Sequence, residues 1–299
     1  MEYQTFIKTV KTELEQLFCA PVEITLDHHL KNNSVEMDSI TIRNPKYNIA
    51  PTIYLNPYYA RHLDGVSMED ILFDIRRTYE KSAPCRDFDV SKYTDYAQAK
   101  KSICMRLIHY ERNRELLRET PHIRIEDLAV VFSYLLPMES DTSASIPVRR
   151  THTMLWNVTA EQLFQQAIIN SPRLLPVQIH SMEDLLMKMT FTDFPKDFES
   201  PIPMYVASNA RNIYGASVIL YPDFLDDLAE DFESDLTIIP SSVHEVIIIP
   251  DQHPDPVTLT AMIQEVNELE LTETEILSDH PYFYSRVDHK LHSEPYIVL

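Results

Sequence analysis

The residues most able to do chemistry lie in the stretch PSSVHEVIIIPD, residues 240–251, at the start of an apolar run. Ser242, His244 and Glu245 are the candidate catalytic residues of a hydrolase-type site, in which His244 serves as general base or ligand. The run predicts a strand over 242–249, and alternation along a strand would place His244 and Glu245 on opposite faces. A catalytic partner for either residue must then come from elsewhere in the fold.

A structural interpretation of the same residues stays open beside the catalytic one. Ser242 and His244 would satisfy hydrogen bonds at the loop and strand end, and Glu245 would meet an arginine or a backbone amide. Polar groups at strand ends occur in functional sites and in purely structural bonds alike. The HEVII segment lacks the second histidine of the HExxH motif, which excludes a metallopeptidase of that type.

Four further residues are candidates for binding. Asn209, Arg211 and Asn212 precede Gly215 and would line a polar pocket beside the histidine segment. The alternative, which the sequence favours, is a hairpin turn in which Gly215 occupies a position that needs conformational freedom. Asp251 completes the set because it closes the apolar run.

Cofactor and metal sites are not expected. The chain has only two glycines, Gly65 and Gly215, far apart in sequence. Glycine-rich nucleotide loops and the GxSxG nucleophile elbow are therefore excluded. Asp27, His28 and His29 are adjacent, and neighbouring strand residues face opposite ways, so they predict no metal site. The three cysteines contain no CxxC pair and predict neither a disulfide framework nor a zinc site.

The charge and hydropathy of the sequence indicate which partners the protein can bind and in which cellular compartment it is found. The 299 residues include 26 basic and 46 acidic side chains, a formal net charge of −20 that repels a phosphate backbone. We therefore expect no nucleic-acid partner. The opening segment, residues 1–18, predicts an amphipathic helix and not a signal peptide, and the most apolar run, 128–136, is too short to span a bilayer. These features predict a cytoplasmic protein with no membrane association.

The composition favours an α+β fold of mainly antiparallel sheets with packed helices in two closely associated lobes. Twenty prolines and only two glycines indicate many short elements with stiff connections. Three prolines in 191–203 predict a connector between an N-terminal lobe, 1–190, and a C-terminal lobe, 204–299, which together may count as one domain.

Periodicity and capping signals predict the individual elements. Ser67 is a natural helix cap, Thr159 with Gln162 forms a capping box, and a slip in alternation near Asp38 predicts a bulge. The predicted helices lie at 1–18, from 67, from 159, from 222 and at 256–268. The predicted strands lie at 22–30, 35–43, 50–55, 103–109, within 121–137, at 144–150, 203–208, 216–221, 236–240 and 242–249.

Several segments carry a family resemblance. They include RLIHYERNRELL, PHIRIEDLAVVFSYLL, PMYVASNARNIYGASVILYP, TIIPSSVHEVIIIPD and LSDHPYFY. Together they are similar to the domain-of-unknown-function family 5688, found chiefly in intestinal Gram-positive bacteria. The resemblance covers essentially the whole chain and is most specific over 203–251, while Ser34 departs from it because glycine is commoner there. It implies an uncharacterised bacterial protein and transfers no activity.

Two classes of function follow from these observations. The first is a noncatalytic protein-binding or regulatory module whose partner is a protein of unknown identity. The alternative is a hydrolase-type enzyme with a site around His244 and Glu245. The absence of recognisable nucleotide, nucleophile and metal motifs favours the first class.

Overall fold

The chain is divided into two compact units of helices and strands. The structure is a computed structural model that describes residues 1–18, 21–84, 87–136, 145–190, 203–250 and 255–294. Its contacts group residues 1–31 and 35–91 into a first unit and residues 32–34 and 92–299 into a second. Helices and antiparallel sheets occur in both units, which confirms the predicted α+β class.

The first unit is a three-stranded antiparallel sheet, in the order β1-β2-β3, with helices packed on it. Helix α1 buries Phe6, Val10 and Leu14 along one face, as its periodicity predicts. The predicted cap is confirmed, since the Ser67 hydroxyl accepts a hydrogen bond from the backbone N–H of Asp70 at 3.1 Å. The elements are α1 Tyr3–Leu17, β1 Glu23–Leu30, β2 Glu36–Arg43, β3 Thr52–Tyr54, α2 Asn56–Leu63 and α3 Met68–Ser82.

The bulge predicted near Asp38 is wrong. Strands β1 and β2 pair in one uninterrupted antiparallel register, from Glu23 opposite Arg43 onward. The break in the apolar pattern comes from Ser39, which is fully buried and lies 2.8 Å from the Nε2 atom of His29. Ser39 is therefore buried and hydrogen-bonded on the face of β2 opposite to Ile40 and Ile42, without any change in backbone pairing.

The second unit contains two antiparallel sheets. In the smaller one, β6 pairs with β4, β5 and β7; the larger has the order β13-β12-β10-β11-β9-β8. The described elements from residue 90 onward are α4 Val90–Thr94, α5 Tyr96–Ala99, β4 Ile103–His109, α6 Arg114–Arg118, β5 His122–Ile125, β6 Leu128–Leu135, β7 Ser145–Pro147, α7 Arg150–Trp156, α8 Ala160–Leu174, β8 Val177–Ser181, α9 Met182–Thr190, β9 Tyr205–Asn209, α10 Phe224–Asp231, β10 Leu236–Pro240, β11 Val246–Pro250, α11 Pro256–Glu270, β12 Tyr282–Ser285 and β13 Lys290–His292.

The strands on either side of the predicted connector belong to one sheet. Strand β8 pairs with β9 along its whole length, from Val177 opposite Asn209 to Ser181 opposite Tyr205. Residues 191–202 of the connector lie outside the described residues. The division into lobes at 191–203 stays a prediction.

Three predictions near the candidate site need correction. Residues 216–221 do not form a strand; Gly215–Leu220 is a 3-10 helix in which Gly215 to Ile219 are all buried. Strand β11 begins at Val246 and not at Ser242. Helix α10 begins at Phe224, so Pro222 precedes its first turn. A short apolar run buried on every side has no period that distinguishes a strand from a helix, which explains the first error.

Candidate functional site

Tyr214, which the sequence analysis did not select, joins two other polar residues into a cluster. The ring of His244 stacks on that of Tyr214, with centroids 5.4 Å apart and an interplanar angle of 28°. The guanidinium carbon of Arg106, on β4, lies 3.4 Å from the centroid of the same tyrosine ring. We call Arg106, Tyr214 and His244 the arginine cluster. It is held together by ring stacking and a cation–π contact.

His244 is held as a neutral hydrogen-bond acceptor. Its Nδ1 atom accepts a hydrogen bond from the backbone N–H of Tyr214 at 3.1 Å. Burial lowers the pKa of His244, and the charge of Arg106 acts in the same direction against the opposing charge of Glu275. The neutral imidazole is therefore the form that this environment favours.

The predicted catalytic residues make mainly local bonds. Residues 241–245 form a turn before β11, so the expected strand alternation of His244 and Glu245 is wrong. The Ser242 hydroxyl accepts the backbone N–H of His244 at 3.0 Å, and the Ser241 hydroxyl donates to the Glu245 carboxylate at 3.2 Å. No hydroxyl, thiol or carboxylate hydrogen-bonds the His244 ring among the residues that the structure describes. A catalytic role for these residues stays a prediction.

The predicted binding residues divide into one buried residue and two exposed ones. Asn209 is fully buried; its side-chain oxygen accepts the backbone N–H of Arg211 at 3.0 Å, and its side-chain nitrogen donates to the Ile213 carbonyl at 2.8 Å. These bonds fix the loop after β9. Arg211 and Asn212 are exposed on that loop. Asp251 lies outside the described residues.

Gly215 is required for packing and not for a turn. Its backbone angle φ is not positive; the positive values in this loop belong to Asn212, at 50°, and Tyr214, at 51°. A Cβ atom on Gly215 would lie 2.1 Å from the Ser208 hydroxyl and 2.3 Å from the carbonyl oxygen of His244. The prediction of a conformationally permissive turn position is therefore wrong, and the absent side chain is what lets the loop approach the His244 turn.

A second group of titratable residues connects the two sheets of the second unit. Asp127, in the turn between β5 and β6, has one oxygen 3.0 Å from Nε2 of His280 and 3.4 Å from Nε2 of His109. Its other oxygen accepts a hydrogen bond from the Tyr282 hydroxyl at 2.7 Å. We call His109, Asp127, His280 and Tyr282 the aspartate cluster. Sequence reasoning missed it because its members are far apart along the chain.

Asp127 and burial together set the direction in which the pKa of each residue in the aspartate cluster is shifted. Hydrogen bonding to Asp127 raises the pKa of His280, and this outweighs the opposing effect of burial. Burial alone would raise the pKa of Asp127, but hydrogen bonds from His280 and Tyr282 lower it. Burial lowers the pKa of His109 despite the nearby carboxylate. The arrangement favours an ion pair between Asp127 and a protonated His280.

The described residues include neither a cluster of metal ligands nor a membrane-spanning helix. Within the described ranges, no group of three or more histidine, cysteine, aspartate or glutamate side chains is arranged to hold a metal ion. His28 and His29 instead bond to the neighbouring strand, at 2.9 Å to Asp38 and 2.8 Å to Ser39. None of the described helices has the length and apolar character needed to cross a bilayer.

The fold and the two clusters define an α+β protein with antiparallel sheets and polar networks between distant segments. The chain belongs to the family described as "Family of unknown function (DUF5688)", whose model matches residues 3–286. This confirms the resemblance seen in the sequence. Neither a curated protein nor a solved structure matches the chain.

Proposed function

We propose that the protein is a noncatalytic protein-binding module of the bacterial cytoplasm and that it binds its partner through helix α11. The observation behind this proposal is a stripe of three exposed apolar side chains, Met262, Val266 and Leu269, which are 56%, 50% and 72% exposed. Their spacing of four and three residues places them on one face of the helix. Exposed apolar side chains that form a continuous patch are typical of interaction surfaces.

The stripe is separate from the contacts that hold α11 in place. The helix buries Ile263 and Asn267 on another face. The Asn267 side chain donates hydrogen bonds to the Ser278 carbonyl and to the Asp279 carboxylate, both at 3.0 Å. Folding therefore fixes the helix without using the stripe, which leaves it available to a partner.

Charge specifies the kind of partner. Residues 212–285 contain 16 aspartates and glutamates and no lysine or arginine. Glu265, Glu268 and Glu270 are exposed on α11 itself. An apolar stripe bordered by carboxylates is complementary to a basic amphipathic helix, and it repels a second copy of this acidic chain.

The local bonds at His244 give the hydrolase alternative little support. A hydrolytic histidine needs a nucleophile or a water within hydrogen-bond reach and a group that orients its second nitrogen. His244 receives a backbone N–H at Nδ1, and Ser242 is engaged with the backbone of His244. These bonds support a structural role for the turn.

Binding of a designed basic amphipathic peptide tests the proposal. The peptide consists of leucine and lysine with all leucines on one helical face, and its affinity is measured by fluorescence anisotropy. Leu269→Gln and Met262→Gln are each expected to weaken binding about tenfold, since an apolar side chain buried at an interface contributes about 1.5 kcal/mol. The control variant Ile169→Gln changes a side chain that is 67% exposed on α8, and it should bind like the unaltered protein.

A second peptide separates the apolar contribution from the electrostatic one. It has the same composition with the leucines spread around the helix, and it should bind weakly and lose that binding as salt is raised. Equal binding of both peptides, or equal loss in the α8 control, would contradict the proposed surface. Self-association of the protein that disappears in Leu269→Gln would show that a second copy occupies the stripe instead.

A further inference from the structure

Strand β8, Val177–Ser181, forms an open edge of the larger sheet. It is the last strand in the order of that sheet, and among the described residues it pairs only with β9. Its three central residues, Gln178, Ile179 and His180, are exposed, and its two end residues are half-buried. The edge is therefore accessible to another strand along its whole length.

The register shows which backbone groups of β8 face away from β9. The backbone N–H of Ala210 donates to the Pro176 carbonyl, and the backbone N–H of Met182 donates to the Met204 carbonyl, both at 2.8 Å. Every second residue of an antiparallel strand bonds the same neighbour, so the even-numbered residues of β8 bond β9. The groups that face the open edge are the N–H and C=O of Val177, Ile179 and Ser181.

Edge strands elsewhere in the described part of the chain carry features that hinder pairing with a further strand. Strands β1, β4 and β5 contain charged residues, and β3, β7 and β13 are only three residues long. Strand β8 has five residues, and none of them is aspartate, glutamate, lysine, arginine or proline. Proteins protect exposed edges with charges, prolines or short strands, so β8 is the edge best suited to pairing.

The segment that includes β8 does not share the acidity of the chain. Residues 162–182 contain one arginine and no aspartate or glutamate, although the whole chain has a net charge of −20. The adjacent strand β9 is uncharged as well. A second copy of the chain is repelled by most of the acidic surface, but it meets little like charge at this edge.

We propose that two copies of the protein pair through β8, antiparallel and about a two-fold axis at Ile179, so that their larger sheets join into one. In this register Val177 of one copy lies opposite Ser181 of the other, and their outward N–H and C=O groups bond reciprocally. Ile179, which is 37% exposed in a single copy, gains an apolar neighbour across the axis. On the opposite face, Gln178 lies across from His180. The edge is thus self-complementary without a charged contact.

This surface is distinct from the α11 stripe and does not depend on the proposed function. Sedimentation velocity at up to about 0.5 mM protein tests it, because so short an edge indicates a weak dimer. We expect a monomer–dimer equilibrium that Ile179→Lys weakens by about tenfold or more, since two like charges then lie opposite each other. Val287→Lys adds the same charge at a position that is 67% exposed after β12, and it should leave the equilibrium unchanged.

Three results of that measurement would overturn the proposal. The first is a protein that stays monomeric, which would leave β8 open to an extended segment of a different protein. The second is equal weakening of the dimer by Ile179→Lys and Val287→Lys. The third is a dimer that persists in Ile179→Lys and is lost in Leu269→Gln, which would assign self-association to the α11 stripe.

A charge swap tests the position of the two-fold axis. Ile179→Glu alone should dimerise as poorly as Ile179→Lys. An equal mixture of the two variants places opposite charges across the axis, so it should associate more tightly than either variant alone. A mixture that associates no better than its components would contradict the pairing of Ile179 with its own copy.

Amide hydrogen exchange in the unaltered protein keeps the test decisive even if the Ile179 variants fail to fold. The amides of Val177, Ile179 and Ser181 should become protected as the protein concentration is raised, as measured by NMR. Those of Gln178 and His180 are already bonded to β9, so their exchange should not change with concentration. Exchange at the odd-numbered positions that is independent of concentration would contradict the proposed edge.

Discussion

The arginine cluster and the aspartate cluster each contain a partly buried histidine, His244 and His280, whose pKa values are shifted in opposite directions. His244 lies beside a cation and accepts a backbone hydrogen bond, and its pKa is lowered by burial. His280 shares a hydrogen bond with Asp127 at 3.0 Å, and its pKa is raised by that bond. Because His244 and His280 are buried to a similar degree, the groups that contact each ring, more than burial, decide the direction in which its pKa is shifted.

His109 shows how local that effect is. Its Nε2 atom is 3.4 Å from the same Asp127 oxygen, yet burial lowers its pKa. The other ring nitrogen accepts a hydrogen bond from the backbone N–H of Arg112 at 3.2 Å. Asp127 favours the charged form of both histidines, but at His109, which it does not bond directly, burial outweighs that effect.

The largest expected effect is at the glycine beneath the arginine cluster. Gly215→Ala places a Cβ within 2.3 Å of the carbonyl oxygen of His244, and the turn must move to accommodate it. We expect a loss of about 3 kcal/mol or more in the free energy of unfolding, measured by urea denaturation. The matched variant Gly65→Ala has open space around the new methyl group but a φ of +95°, and it should lose only about 1 kcal/mol.

An intermediate effect is expected from breaking the aspartate cluster. Asp127→Asn removes the negative charge between His280 and His109 and weakens the bond from Tyr282. Because the cluster is only partly buried, we expect a loss of about 2 kcal/mol in the free energy of unfolding.

The same variant should lower the pKa of His280, measured by NMR titration of its ring protons. The pKa of His244 should stay unchanged and serves as the internal control. An unaltered His280 pKa in Asp127→Asn would mean that this carboxylate is not the source of the shift.

The smallest expected effect concerns how folding stability depends on pH. The contributions of His280 and His244 should change with pH in opposite directions. A histidine whose native pKa is raised, such as His280, stabilises the fold fully below the unfolded value of about 6.5 and loses that contribution as pH rises through the native pKa. His244 has a lowered native pKa, so its contribution falls as pH drops below about 6.5.

Paired variants measure this difference. The stability lost in His280→Gln should be greater at mildly acidic than at mildly alkaline pH, and the stability lost in His244→Gln should show the reverse order. The measurement is the free energy of unfolding of each variant relative to the unaltered protein across that range. The same sign in both variants would contradict the opposite pKa shifts of His280 and His244.

Much of the local structure could be predicted because its signals are local. The Ser67 cap and the capping box of Thr159 and Gln162 are confirmed, with the box closed by bonds of 2.9 and 3.3 Å. The helix predicted at 256–268 corresponds to α11, which extends to Glu270. Each of these signals depends on residues within about one helical turn of each other.

The site could be predicted only in part because its contacts are distant in sequence. Arg106 reaches Tyr214 across more than a hundred residues, and no spacing rule connects them. The strand predicted at 242–249 begins instead at Val246, since Ser242 and His244 bond to each other and form a turn. The sequence predicts a special role for Gly215, but as conformational freedom in a turn. A sequence does not show that the His244 carbonyl lies within contact distance of Gly215.

The stretch of chain without lysine or arginine, residues 212–285, also determines which proteases can cut this protein. Trypsin cleaves only after those two residues, so Arg211 and Arg286 delimit one fragment that includes Tyr214, His244 and all of α11. Tryptic footprinting therefore cannot localise a partner bound to that helix, whatever its affinity. A protease that cleaves after glutamate has Glu265, Glu268 and Glu270 exposed beside the apolar stripe, and protection at those bonds would map the contact directly.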